Sequence, residues 1–202
     1  MQQIVITGCG TDVGKTVVAA ILARAWGADY WKPVQCCGDG EPDTQRVARL
    51  VPGSTVYPAS YTLQGHLSPH HAARLEGIEI NTAVLSPPKT SRQLLIETAG
   101  GLLVPLTPSK LAIDLYTSWE AHWIVVSRHY VGSINHTLLT LKALQQRGLP
   151  ILGVIFNGDP NPDTEQAILH FSGVRSLGRI SPEPTINFQV IAKYAHQFRN
   201  AL

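Results

Sequence analysis

Gly8-Cys9-Gly10-Thr11-Asp12-Val13-Gly14-Lys15-Thr16 stands between a short apolar run and a longer segment of helical spacing, and its reading decides the fold. A glycine-rich turn that opens a helix directs backbone N–H groups and the positive helix end at one point, which suits phosphate oxygens. Within such a turn Lys15 reaches the β- and γ-phosphates and the Thr16 hydroxyl ligates Mg2+. The common G-x-x-x-x-G-K-[ST] spacing puts a glycine at position 9, where Cys9 stands, so counted from Gly8 the loop is one residue longer. A plain strand-to-helix turn also uses glycine for positive φ. Gly14-Lys15-Thr16 directly after a buried strand favours nucleotide binding over that simpler reading.

Working outward, short β-branched runs alternate with helical segments along the chain, the pattern of a parallel sheet covered on both faces. Residues 3–7, 30–34, 94–98, 123–127 and 151–156 are predicted strands, with 175–180 a weaker sixth. Helices are predicted over 15–26, 43–50, 109–121, 133–147, 163–171 and 187–200. Residues 52–89, rich in Pro, Ser, Thr and Gly, are expected to be loops with one or two short helices. Ser68-Pro69 ahead of His70 and His71 reads as a helix start. The expectation is one α/β domain over residues 1–202, a P-loop NTPase-like parallel sheet with helices on both faces.

Sixteen Lys and Arg against 14 Asp and Glu leave a formal charge of +2, with no block of one sign, so neither nucleic acid nor an anionic membrane is expected as a partner. The start of the chain lacks the basic and longer apolar regions of a secretory signal, and a cytoplasmic location is expected. Cys9, Cys36 and Cys37 are odd in number and lack C-x-x-C spacing, which argues for free thiols over a disulfide or zinc framework. A thiol at Cys9 or Cys36 beside phosphate donors is expected to have a lowered pKa and to be sensitive to oxidation.

A phosphate loop needs a carboxylate at the end of a neighbouring strand to hold the metal or its water. Glu97 has that place, followed by Thr98-Ala99-Gly100-Gly101, whose glycines let a backbone approach the phosphates. Lys32, ahead of Pro33 at a strand end, has no ready structural explanation beyond a lysine snorkelling from the sheet. Asp43, opening a predicted helix, reads as an N-cap compatible with a metal role.

With these residues in view, the chain resembles the dethiobiotin synthetase family. The shared landmarks run in order: Gly8 to Thr16, Trp31-Lys32-Pro33-Val34, Asp43, Ser68-Pro69-His70, Glu97 to Gly101, Gly132-Ser133-Ile134-Asn135-His136 and Asn157-Gly158-Asp159. The resemblance implies closure of a cyclic urea on diaminopelargonic acid with CO2 and ATP, through a carbamate and a carbamic-phosphoric anhydride, releasing ADP and phosphate. It implies Lys15, Lys32 and Thr11 as catalytic residues and Thr16, Asp43 and Glu97 around Mg2+. Asp12, Val13, Gly14, Lys15, Thr16, Val17 and Asn157 are implied at the nucleotide, Asn157 at its base. Lys32, Cys36, Gly100 and the stretch Gly132, Ser133, Ile134, Asn135 are implied at the substrate. That last stretch would bring a helix N-terminus to the substrate carboxylate from a partner subunit, making the active unit a homodimer; the unpaired N–H groups of a first turn suit an anion.

The chain departs from the family pattern at Cys9, Gly10, Cys36 and Thr98, and Gly178-Arg179-Ile180-Ser181-Pro182 matches the family's late G-x-I-P loosely, which leaves the base pocket and the preferred nucleotide open. The competing reading is a partition-type ATPase switch, which shares the unusual loop. Such proteins usually carry a further lysine early in the loop, and the stretch 8–11 has none. A ligase domain of an amidotransferase synthetase would need a longer chain.

Overall fold

The computed structural model describes residues 3–201. Its main sheet has seven strands, all parallel: β1 (Gln3–Gly8), β2 (Asp29–Trp31), β4 (Val56–Tyr57), β6 (Leu94–Glu97), β7 (Ala121–Arg128), β8 (Ile151–Asn157) and β9 (Ser176–Ile180). They lie in the order β4-β2-β6-β1-β7-β8-β9. The other two strands, β3 (Val34–Cys36) and β5 (Tyr61–Leu63), form a separate parallel pair.

Alternation along the strands builds two cores. In β1, Val5 faces one core while Ile4 and Ile6 face the other; in β7, Trp123 and Val125 oppose Ile124 and Val126 in the same way. One face is covered by α1 (Lys15–Trp26), α2 (Asp43–Leu50) and α7 (Phe188–Phe198). The opposite face is covered by α3 (Pro69–Leu75), α4 (Ala112–Tyr116), α5 (Ser133–Gln146) and α6 (Pro162–Ser172). All strands of the main sheet run the same way, so their C-terminal ends gather on one edge, where β6 and β7 flank β1 and the connections part to either side.

Three expectations need correction. The strand foreseen over 30–34 is cut at Lys32-Pro33: β2 pairs with β6 and β4, whereas β3 leaves to pair with β5. Proline cannot donate to a ladder, and the Pro33 carbonyl instead accepts from Ser60 and Tyr61 at 2.9 and 3.0 Å. The helix foreseen over 109–121 shrinks to Ala112–Tyr116. Thr107 captures the backbone N–H groups of Ser109 and Lys110, and at the far end Ala121 is drawn into register with Gln3. Residues 52–89 hold, besides α3 and a single 3-10 turn over Thr82–Val84, the strands β4 and β5. Among the described residues no helix is long and apolar enough to cross a membrane.

Candidate active site

A cleft of about 760 Å³ opens at the C-terminal edge of the sheet. From the loop after β1 and the first turn of α1 it takes Thr11, Asp12, Gly14, Lys15, Thr16 and Val17. Lys32 and Cys36 enter from the break between β2 and β3, Asp43 from α2, Glu97 and Gly100 from the end of β6, and Asn157 from the end of β8. The strand ends explain much of this convergence: Lys32, Cys36, Glu97 and Asn157 stand at or just beyond the points where parallel strands stop, and Lys15, Thr16 and Asp43 open the helices that follow.

The loop itself is tightly braced. Gly14 has φ +97°, and a Cβ there would lie 2.2 Å from Asn157 Nδ2, so this position requires glycine on both counts. The Asn157 amide donates to the Val13 carbonyl at 2.8 Å, tying the end of β8 to the phosphate loop. Val13 sits in the loop with its side chain buried in the core, leaving only its backbone for a ligand. Lys15 is 6 % exposed and donates to the Gly10 carbonyl at 2.9 Å. Burial pushes its ammonium down to about 8, against the pull of Glu97.

Beside it lies a compact charged cluster. Thr16 Oγ1 lies 2.8 Å from Asp43 Oδ1 and 2.9 Å from Glu97 Oε1. Lys32 Nζ donates to Glu97 Oε1 at 2.8 Å and also to Asp43 Oδ2. Glu97 is 1 % exposed, and its second oxygen accepts the Tyr30 hydroxyl at 2.8 Å, so both oxygens of that buried carboxylate have partners. Burial alone would lower Lys32, but Glu97 and Asp43 outweigh it and hold the ammonium above the usual lysine value. Burial likewise works to raise Asp43, and Lys32 prevails and holds it low. Tyr30 is pushed well above the ordinary phenol value, first by burial and then by Glu97, so it serves as a fixed donor.

A hydroxyl and two carboxylates form an oxygen-only donor set facing the cleft. Hard divalent cations bound through one or two carboxylates plus substrate phosphates use such sets, so the residues present fit one. Among the described residues no three His, Cys, Asp or Glu side chains converge as a closed protein cage.

Three residues that the sequence reading did not assign belong here. Tyr30 orients Glu97. Arg46 lines the cleft one helical turn beyond Asp43, and that i, i+3 spacing was the available signal. Arg128 lines it too, in register with Asn157, and donates to the Asp12 carbonyl at 3.2 Å. One capping expectation is corrected: Pro42, not Asp43, is the N-cap of α2. Gly132, with φ +94°, caps α5. The expected activation of Cys36 is overturned, since burial raises its thiol to about 11, with Lys32 acting the other way. Gly132, Ser133, Ile134 and Asn135 do not line the cleft; they open α5 outside it, beside the exposed side chains of Tyr130 and Val131.

A parallel sheet with a phosphate loop after β1, and acidic and basic side chains at the neighbouring strand ends, defines a P-loop nucleotide-dependent protein. Solved structures with this fold include the septum site-determining protein MinD complexed with Mg-ADP from Pyrococcus horikoshii, at TM-score 0.54 and 15 % identity over 98 % of this chain and 96 % of that one. A putative plasmid partition protein from Borrelia burgdorferi bound to AMPPNP matches at TM-score 0.54 and 15 % identity, over 99 % and 96 % of the two chains. At such identity the likeness concerns the fold alone. A family model described as an AAA domain matches residues 2–190. The ATP-dependent dethiobiotin synthetase BioD of Paramagnetospirillum magneticum is 46 % identical over 192 residues, covering 95 % of this chain and 94 % of the relative. Those of Christiangramia forsetii and Chlamydia pneumoniae are 45 % and 42 % identical, covering 98 % of this chain and 96 % and 90 % of theirs. The chain belongs to the ATP-dependent dethiobiotin synthetase family.

Proposed function

We propose that the protein joins CO2 to one amine of diaminopelargonic acid and closes the cyclic urea of dethiobiotin at the expense of ATP, as a cytoplasmic enzyme of one domain. The observation that carries this reading is the meeting of two buried lysines, Lys15 and Lys32, in one cleft with a carboxylate–hydroxyl cluster. The reaction requires two anions to meet. One amine takes up CO2 and loses a proton to become a carbamate. A carbamate oxygen then attacks the γ-phosphorus, and the bond from that phosphorus to the bridging oxygen of ADP breaks. The second amine finally attacks the carbamoyl carbon, phosphate leaves, and a proton is lost as the ring closes.

Each residue has a part that its surroundings support. Lys15, backed by the loop N–H groups, holds the β- and γ-phosphates, and Lys32 offsets the charge of the carbamate as it approaches the phosphoryl group. Thr11 would face the reacting end of the substrate, and Cys36 and Gly100, which line the same cleft, would border it. Asp12, Val13, Gly14, Thr16 and Val17 line the phosphates, and Asn157 stands on the base side. Thr16, Asp43 and Glu97 would hold Mg2+, which when bound neutralises phosphate charge. Gly132, Ser133, Ile134 and Asn135 would receive the substrate carboxylate across a homodimer interface, a role supported by their place at the start of a helix next to exposed apolar side chains.

The test is to incubate the purified protein with Mg-ATP, bicarbonate and diaminopelargonic acid and to follow dethiobiotin and phosphate by mass spectrometry. Both products are expected, each dependent on the diamine; phosphate release without it would favour a hydrolytic switch. Lys15→Ala is expected to abolish turnover and weaken nucleotide binding by about a hundredfold, whereas Lys32→Ala should abolish turnover with nucleotide binding within about threefold of the parent. Parental nucleotide affinity in Lys15→Ala would remove that lysine from the phosphates.

A further inference from the structure

Outside the cleft, one carboxylate gathers three segments of the active edge. Glu165, on the first turns of α6, accepts from His129 Nε2 at 2.8 Å and from the Asn161 backbone N–H at 3.2 Å through one oxygen, and from the Arg179 guanidinium through the other. The donors come from different places: His129 follows the end of β7, Asn161 closes the loop after β8, and Arg179 lies on β9. All three charged or polar side chains are largely buried, at 13 % exposure for Glu165, 12 % for His129 and 23 % for Arg179. Burial alone would raise the Glu165 pKa, yet the bonds from Arg179 and His129 hold it below the usual value, so the site is built for the carboxylate form.

Two of the segments so joined, the exits of β7 and β8, lead away from the cleft. The β8 exit carries Asn157, which braces the phosphate loop, and continues through Gly158 and Asp159, whose carbonyl accepts from Arg179 at 3.3 Å. The β7 exit carries Arg128, which holds the Asp12 carbonyl, and continues through His129 to Tyr130 and Gly132 at the start of α5. His129 also stacks on Phe156, centroids 5.6 Å apart, which packs its ring between the two strands. One carboxylate therefore ties the loop after β8 to the turn that leads into α5.

We propose that Glu165 is a positioning residue that couples two parts of the active edge, its Arg179 arm holding the nucleotide side of its own site and its His129 arm holding the start of α5, which serves the diamine side across the homodimer interface. This rests on the reading under Proposed function for what each part binds. A carboxylate with only a stabilising role would lower the melting temperature of its variants without sorting its effects between ligands.

The experiment separates the arms in the full-length protein. Binding of a non-hydrolysable ATP analogue is measured by calorimetry, and KM and kcat for the diamine by dethiobiotin formation, all well below the melting temperature. Glu165→Ala is expected to weaken the analogue and raise the diamine KM, each by about tenfold, with kcat changed less than about threefold, and Glu165→Gln should recover part of both. Arg179→Lys should affect mainly the analogue, and His129→Asn mainly the diamine KM; these two keep the test open if Glu165→Ala does not fold. Parental affinities in folded variants, or equal effects of both arms on both ligands, would overturn the proposal. Analogue binding needs no turnover, so it reads the Arg179 arm even if dethiobiotin is not the product.

Discussion

Tyr30 shows how a side chain that reads as core can set the direction of a charged one. Its position in an apolar run gives no sign of chemistry, yet its hydroxyl takes the one Glu97 oxygen that Thr16 and Lys32 leave free. Tyr30→Phe would strand a buried acceptor, and a stability loss of about 1–3 kcal/mol is expected in denaturant unfolding. Because the carboxylate would then be free to turn, kcat should fall by about tenfold while nucleotide affinity stays within about twofold, as steady-state kinetics and calorimetry would show. Lys15, Thr16, Lys32 and Glu97 were legible because motif spacing and strand ends mark them, Asp43 only through the family resemblance, and all five line one cleft. Their environments were not legible, as the thiol of Cys36 illustrates: neighbouring phosphate donors suggested activation, whereas burial raises it to about 11. Alkylation of Cys36 by iodoacetamide, followed by peptide mapping, should therefore rise roughly tenfold per pH unit through pH 8 to 10 without a plateau. A plateau near neutrality would show a thiolate that burial does not allow.

At the scale of elements, hydrophobic period and length were enough to find the buried strands, since residues apolar on both faces have few other places to go. They failed where a side chain or a partner strand redirected the backbone. Pro33 diverts the chain into a second sheet, and Thr107 consumes N–H groups that the foreseen helix would have used. Strands as short as β4, Val56–Tyr57, carry too little pattern to be seen without the neighbour that pairs with them. Another feature invisible in sequence lies in β8, whose pairing slips on both sides around Gly153. A Cβ at Gly153 would meet the Arg175 carbonyl at 2.7 Å and Leu177 Cγ at 2.6 Å. Gly153→Ala should thus cost about 1–3 kcal/mol, read as a lowered melting temperature, with substrate KM values unchanged because the strain lies away from the strand ends.

For the whole molecule, the exposed apolar side chains at the entry to α5 bear on assembly. Val131 is fully exposed at 103 %, and Tyr130 and Ile134 are partly so, while the neighbouring Gly132 to Asn135 lie outside the cleft they are proposed to serve. A second copy covering this region would bury the patch and complete the substrate site. Val131→Glu is then expected to give a monomer by light scattering at micromolar concentration and to raise the diamine KM strongly, while leaving binding of the ATP analogue near the parental value. A dimeric variant with full activity would move the interface elsewhere.

The order in which strands lie across the sheet differs from the order in which they are made. β1 finds both its neighbours, β6 and β7, only in the later part of the chain, and β2 joins the rest through β6 alone. A nascent polypeptide emerging from the ribosome therefore holds its phosphate loop on an unpartnered strand until residues 94–97 have cleared the exit tunnel. The braces from Arg128 and Asn157 arrive later still, so the loop gains its full support only once most of the chain is made.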